Sequence, residues 1–86
     1  MIKDEFGNRR FFGVYRGIVL DTKDPLNRKR VRLEVPQVLV SETTGWAWAM
    51  HQDATLPNVG QGVWVQFEGG DPSYPIWISS FGDAVQ

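Results

Sequence analysis

The chain contains no cysteine and a single histidine, His51. Without cysteine, neither a disulfide framework nor a thiolate metal site can support the fold, and the redox compartment is left open. With one imidazole, Ser41, Ser73, Ser79 and Ser80 share a single candidate base, and none has nucleophile-elbow spacing. Nucleophilic catalysis is therefore not expected, and His51 reads as a structural or surface residue. Long apolar runs are also missing: none approaches the roughly 20 residues that cross a bilayer. The first residues, Met1-Ile2-Lys3-Asp4-Glu5, are charged where a secretion signal would be apolar. Membrane insertion and secretion are not indicated. Finally, the second half lacks basic residues. After Arg32 there is no Lys or Arg, while Glu34, Glu42, Asp53, Glu68, Asp71 and Asp83 are all acidic.

The remaining chemistry-bearing residues are poorly arranged for catalysis or ligation. No His, Asp and Glu fall at metal-ligand spacing, and Asp21, Asp24 and Asn27 lack the glycine and terminal glutamate of a calcium loop. Turn capping explains them at lower cost. Glu34, Glu42, Glu68 and Asp71 fall at solvent-facing strand positions or in turns, not across a sugar-sized groove. No cofactor, no metal and no enzymatic activity are expected.

What is present is strand pattern. Eighty-six residues support one domain, and a chain of this size hides about 60–65% of its extended surface on folding. At 42% hydrophobic residues, with four Trp, it is too apolar for a disordered tail. Residues 12–21 read as a first strand, with Tyr15, Gly17 and Val19 on the inner face because Arg16 occupies the other. A capped turn at 21–27 leads to the cleanest alternation, in which Val31, Leu33 and Val35 oppose Arg30, Arg32 and Glu34 until Pro36. Trp46-Ala47-Trp48-Ala49-Met50 alternates large with small, and either the tryptophans or the alanines face inward. Residues 63–68 and 75–80 form two further strands around Gly69-Gly70-Asp71-Pro72, where glycine permits positive φ and Asp-Pro fixes a turn. The expected core is Val19, Val31, Leu33, Val35, Val63, Val65, Phe67, Ile76 and Ile78, which leaves Trp64 and Trp77 outside. Residues 1–11 read as an N-terminal arm with a turn at Gly7-Asn8, 12–82 as the barrel and 83–86 as a tail. The phenylalanines of the arm need cover, from this barrel or from a neighbour.

Five strands without helical periodicity suggest a closed or nearly closed barrel, either OB-type or SH3-like. A resemblance selects between them. Gly17-Ile18-Val19-Leu20-Asp21-Thr22-Lys23-Asp24-Pro25, then Arg30-Val31-Arg32-Leu33-Glu34-Val35-Pro36, then Trp46-Ala47, resemble the phage baseplate assembly protein V family. The run from Gly60 through Phe67-Glu68-Gly69-Gly70-Asp71-Pro72 to Pro75-Ile76-Trp77-Ile78 is similar to that family's closing pattern. Coverage extends from about Tyr15 to Gly82. The resemblance implies an all-β, small five-stranded OB-type barrel from the central spike proteins of contractile phage tails and type VI secretion systems.

It also implies a trimeric or hub-associated connector, localised to the virion tail baseplate or an equivalent injection machine. Fused lysozyme and β-helix domains, found in some members, are not expected on this chain. Asn27-Arg28-Lys29 departs from the family's Gly-rich approach to the Arg-Val strand, and the loops between Pro36 and Trp46 and between Met50 and Gly60 are short for the family. Expected contacts for self-association and for hub or spike proteins are Phe6, Arg9, Arg10, Phe11, Phe12, Trp64 and Trp77. The alternative function is single-stranded nucleic-acid binding. It requires the early basic residues and the late tryptophans to converge in the fold.

Overall fold

A computed structural model describes residues 2–3, 9–40, 42–51 and 53–83. Among these residues seven strands occur: β1 (Ile2–Lys3), β2 (Arg9–Arg10), β3 (Tyr15–Asp21), β4 (Arg32–Glu34), β5 (Trp48–Ala49), β6 (Gln61–Phe67) and β7 (Pro75–Asp83). The first two form a separate antiparallel pair. The other five make one sheet in the order β4-β3-β6-β7-β5, all neighbours antiparallel except β5 and β7, which run parallel.

This sheet curls into a half-barrel of OB-like form. The segment leading into β5 reaches back to β4 through isolated antiparallel bridges at Val31–Ala47 and Glu34–Thr43. Val31 and Ala47 exchange both main-chain bonds, at 3.1 and 2.7 Å. Thr44 sits in the same seam, nearly buried. Its amide donates to the Leu33 carbonyl at 2.9 Å. Its Oγ1 accepts from the Leu33 amide at 3.0 Å and donates to the Gly45 carbonyl. A buried hydroxyl satisfied in this way costs little.

The concave side holds Val19, Val31, Leu33, Val35, Ala47, Val63, Val65, Phe67 and Trp77. The expected inward faces of β3, β4 and β6 are therefore observed, and at 46–50 it is the alanine face that turns in at Ala47. Close packing explains Gly17, since a Cβ there would stand 2.8 Å from Val65 Cγ2.

Strand β7 corrects the reading. Pro75 and Trp77 face inward, with Trp77 only 1% exposed, while Ile76 and Ile78 are half-buried on the other side. The physical reason is register. The β6–β7 ladder is regular over this stretch and sets Trp77 opposite Val65 and Pro75 opposite Phe67, whose side chains are buried. The Trp77 indole is held by its Nε1–H, which donates to the Lys29 carbonyl at 3.1 Å.

The turns behave as their residues suggest. Gly69 and Gly70 take φ of +60° and +77° within a short 3-10 turn, Glu68–Gly70, and Asp71 Oδ1 accepts from the Ser73 amide at 2.9 Å. The arm packs onto its own domain at Phe11. Its amide donates to the Gly70 carbonyl at 2.8 Å, and its ring stands edge-on to Tyr15 and Phe67.

Candidate protein–protein interface

The convex side of the sheet carries the residues that the filled interior excludes. In the parallel β5–β7 pair Trp48 lies opposite Ile76, and partners in register share a face, so both point outward. Trp48 is 48% exposed and Tyr74, two positions before Ile76, is 60% exposed. Met50 is exposed, and Trp46, Ile76 and Ile78 are half-buried. On β6, Gln66 pairs with Ile76, and Trp64 follows on the same face.

Three arginines are laid over this aromatic surface. The Arg32 guanidinium carbon is 5.0 Å from the Trp46 ring centroid, Arg30 is 5.2 Å from Trp48, and Arg16 is 5.5 Å from Trp64. Such cation–π contacts orient both partners and cover part of each ring. At the third stack Phe81 adds a ring 4.9 Å from Trp64, and Arg16 also lies 5.9 Å from Phe81. Gly62 makes this possible, because a Cβ there would collide with the Phe81 ring.

The turn that precedes β4 is fixed by one carboxylate. Asp24 Oδ2 accepts from the Arg28 and Arg30 amides at 3.0 and 3.3 Å and from Arg30 Nε at 2.8 Å. Its Oδ1 accepts from the Leu26 amide at 2.9 Å and from Arg30 Nη2 at 2.8 Å. The Arg30 guanidinium holds the Asp24 carboxyl far below the usual carboxylate range; enclosure opposes this and the three amides reinforce it. The same pairing raises Arg30 further above its ordinary value.

The expected contact residues are distributed as follows. Arg9 is exposed on β2, and Arg10 pairs with Asp71 of its own chain, Nη1 to Oδ2 at 3.5 Å. Phe11 is engaged with the core, and Phe12 is exposed, its ring lying over Gly70. Trp64 is half-buried in the Arg16 stack. Trp77 is interior and presents no outer face, which corrects its place among the contacts. Phe6 and the turn at Gly7-Asn8 lie outside the described residues.

Sequence reading missed Tyr74, Ile76 and Ile78 as residues of this face, and the stacking of Arg16, Arg30 and Arg32 on Trp64, Trp48 and Trp46. The large–small alternation at 46–50 was the available signal. Once Ala47 lies in the seam, Trp46, Trp48 and Met50 must face out.

Among the described residues no group of three or more His, Cys, Asp and Glu is placed to hold a metal, and no helix is long and apolar enough to cross a membrane. The convex face supplies stacking surface, guanidinium donors and apolar area, the ingredients of macromolecular contact.

The class of the protein follows from the topology: a small OB-like domain with its distinguishing residues on the outside of the sheet. Residues 15–81 match the type VI secretion system/phage-baseplate injector OB domain family, and the chain belongs to that family. Comparison with curated proteins finds no match.

Proposed function

We propose that this domain is a connector in the hub or spike complex of a phage tail baseplate, or of the equivalent injection machine, and that it works as a homotrimer bound to tail hub proteins. One observation carries the reading. The concave side is already filled, yet the convex side still displays Trp46, Trp48, Met50, Tyr74, Ile76 and Ile78 on neighbouring strands. Apolar sheet surface of this kind marks a contact with another protein. Family membership supports the injector setting, and the number three comes from the family resemblance. In this reading the curled sheet closes fully into a barrel through the Val31–Ala47 seam, which would remove its two edges. Trp64, Phe12, Arg9 and the arm residue Phe6 serve as further contacts.

Native mass spectrometry with sedimentation tests this, on the chain alone and mixed with neighbouring tail proteins. Trimers, alone or formed on a hub, are expected, and Tyr74→Ala should weaken them. A chain that stays monomeric with every tail component and joins none of them refutes the proposal.

Single-stranded nucleic-acid binding is the second reading, favoured by the Arg–Trp stacks that the fold assembles. It ranks below the first because Arg30 is already neutralised by Asp24 and Glu34 follows Arg32 on the same face. Salt-sensitive oligonucleotide binding at micromolar or tighter affinity would reverse the order.

A further inference from the structure

Beside the convex face lies a cleft of about 330 Å³ lined by Asn27, Arg28, Lys29, Trp48, Ala49 and His51. One wall is an aromatic ring, nearly half exposed; the opposite wall is the corner of the turn that follows Asp24. Among the described residues no carboxylate lines it.

The corner is built before any partner arrives. Asp24 gathers the amides of Leu26, Arg28 and Arg30 and the Arg30 guanidinium. The Asp24 carbonyl accepts from the Asn27 amide at 2.9 Å. Asn27 and Lys29 are held at φ of +53° and +60°, a region that residues with side chains seldom occupy. Lys29 is also tied at both ends: its carbonyl receives the Trp77 indole N–H, and its Nζ donates to the Ala54 carbonyl at 3.3 Å. A loop locked in this way presents the exposed Arg28 at a fixed place beside Trp48, so little entropy is lost when a ligand binds.

We propose that this cleft docks an acidic peptide segment of a partner protein, with an apolar or aromatic side chain of that segment on Trp48 and a flanking carboxylate on Arg28. The proposal rests on the connector reading for the nature of the partner. Charge complementarity supplies the acidic character, because the exposed Arg28 lines the cleft and no acidic residue does so among the described residues. Buried aromatic and arginine anchors are the groups that dominate protein interfaces. A nucleic-acid strand fits less well, since it needs a continuing line of cations along its phosphates. Here Arg30 is committed to Asp24, and Glu34 interrupts the line beyond Arg32.

The test is a titration of the full, isotopically labelled chain followed by nuclear magnetic resonance. The probes are a capped peptide with a tryptophan flanked by glutamates, the same peptide with lysines for glutamates, and an oligothymidylate. The acidic peptide should shift the Trp48 indole and the Arg28 and Lys29 amides saturably. Arg28→Glu and Trp48→Ala should each weaken it by about tenfold or more, and the lysine peptide should not saturate. Arg28 is exposed, so its variant keeps the fold, and a preserved spectrum elsewhere verifies this. Shifts that map elsewhere, no shift at all, or insensitivity to both variants overturn the proposal. So does an oligothymidylate that occupies the cleft more tightly than the peptide. A chain that joins hub proteins yet ignores the peptide sinks this inference alone. One that binds the peptide but joins no tail component sinks the connector reading instead.

Discussion

The indole of Trp77 and the carbonyl of Lys29 are joined by a 3.1 Å hydrogen bond across 48 residues of sequence. The bond ties β7, at the centre of the core, to the corner of the turn that precedes β4. It couples interior packing to the placement of the cationic loop beside Trp48.

Trp77→Phe keeps an aromatic ring in the core but removes the donor from a sheltered carbonyl. A loss of about 1–3 kcal/mol is expected, and Trp77→Ala should lose about 3–5 kcal/mol. Urea denaturation monitored by circular dichroism measures both. Equal stability of Trp77→Phe and the parent would show that the bond contributes nothing.

Leu33 lies in β4 with no exposed surface, among Val31, Val35 and the residues of β3 and β6. Leu33→Ala should cost about 2–5 kcal/mol. A change under roughly 0.5 kcal/mol, the range of ordinary surface substitutions, would mean that the face assignment of β4 is inverted.

Asp24 is paired with Arg30, and its side chain is only 2% exposed. Its carboxyl is held below the unfolded value of about 4, so the stabilisation is complete above that pH. It is lost as pH falls through the lower, folded-state value. Asp24→Asn should therefore melt clearly below the parent at neutral pH, with the gap narrowing once pH drops under about 4. Thermal melts across that range provide the measurement. A gap independent of pH would show that the charge of Asp24 contributes nothing to the stability of the turn.

Gly62 lies beneath the Phe81 ring, which rests on Trp64. Gly62→Ala should push that ring aside and cost about 1–3 kcal/mol, with a change in near-ultraviolet circular dichroism from the disturbed stack. Adding Phe81→Ala should recover part of the loss. Strict additivity of the two substitutions would place the cost in the backbone.

Much of the fold was legible because it is written in short-range alternation. Val31, Leu33 and Val35 against Arg30, Arg32 and Glu34, and Val63, Val65 and Phe67 against their neighbours, assign their faces without knowledge of any other strand. Gly69 and Gly70 likewise declare their positive φ locally, since glycine occupies that region without steric penalty. The membership of the family was carried by the ordered motifs from Gly17 to Ile78, and the matched span of residues 15–81 contains them.

The candidate interface was far less legible. Period-two patterning shows that β7 has two faces, but both are apolar, Ile76 and Ile78 on one and Trp77 on the other. Only the pairing with β6, which sets Trp77 opposite the buried Val65, decides that the indole goes in. The Arg–Trp stacks are likewise created by strand pairing. Arg16 meets Trp64 because β3 and β6 pair at those two residues, and Arg32 meets Trp46 through the seam at Val31–Ala47. The sequence by itself thus determined strand identity, turn chemistry and the inner faces of β3, β4 and β6, because these depend on neighbours along the chain. The tertiary structure alone decided the parity of β7, the docking of Phe11 and the meeting of basic and aromatic residues. Each of those depends on which distant segment occupies the adjoining space.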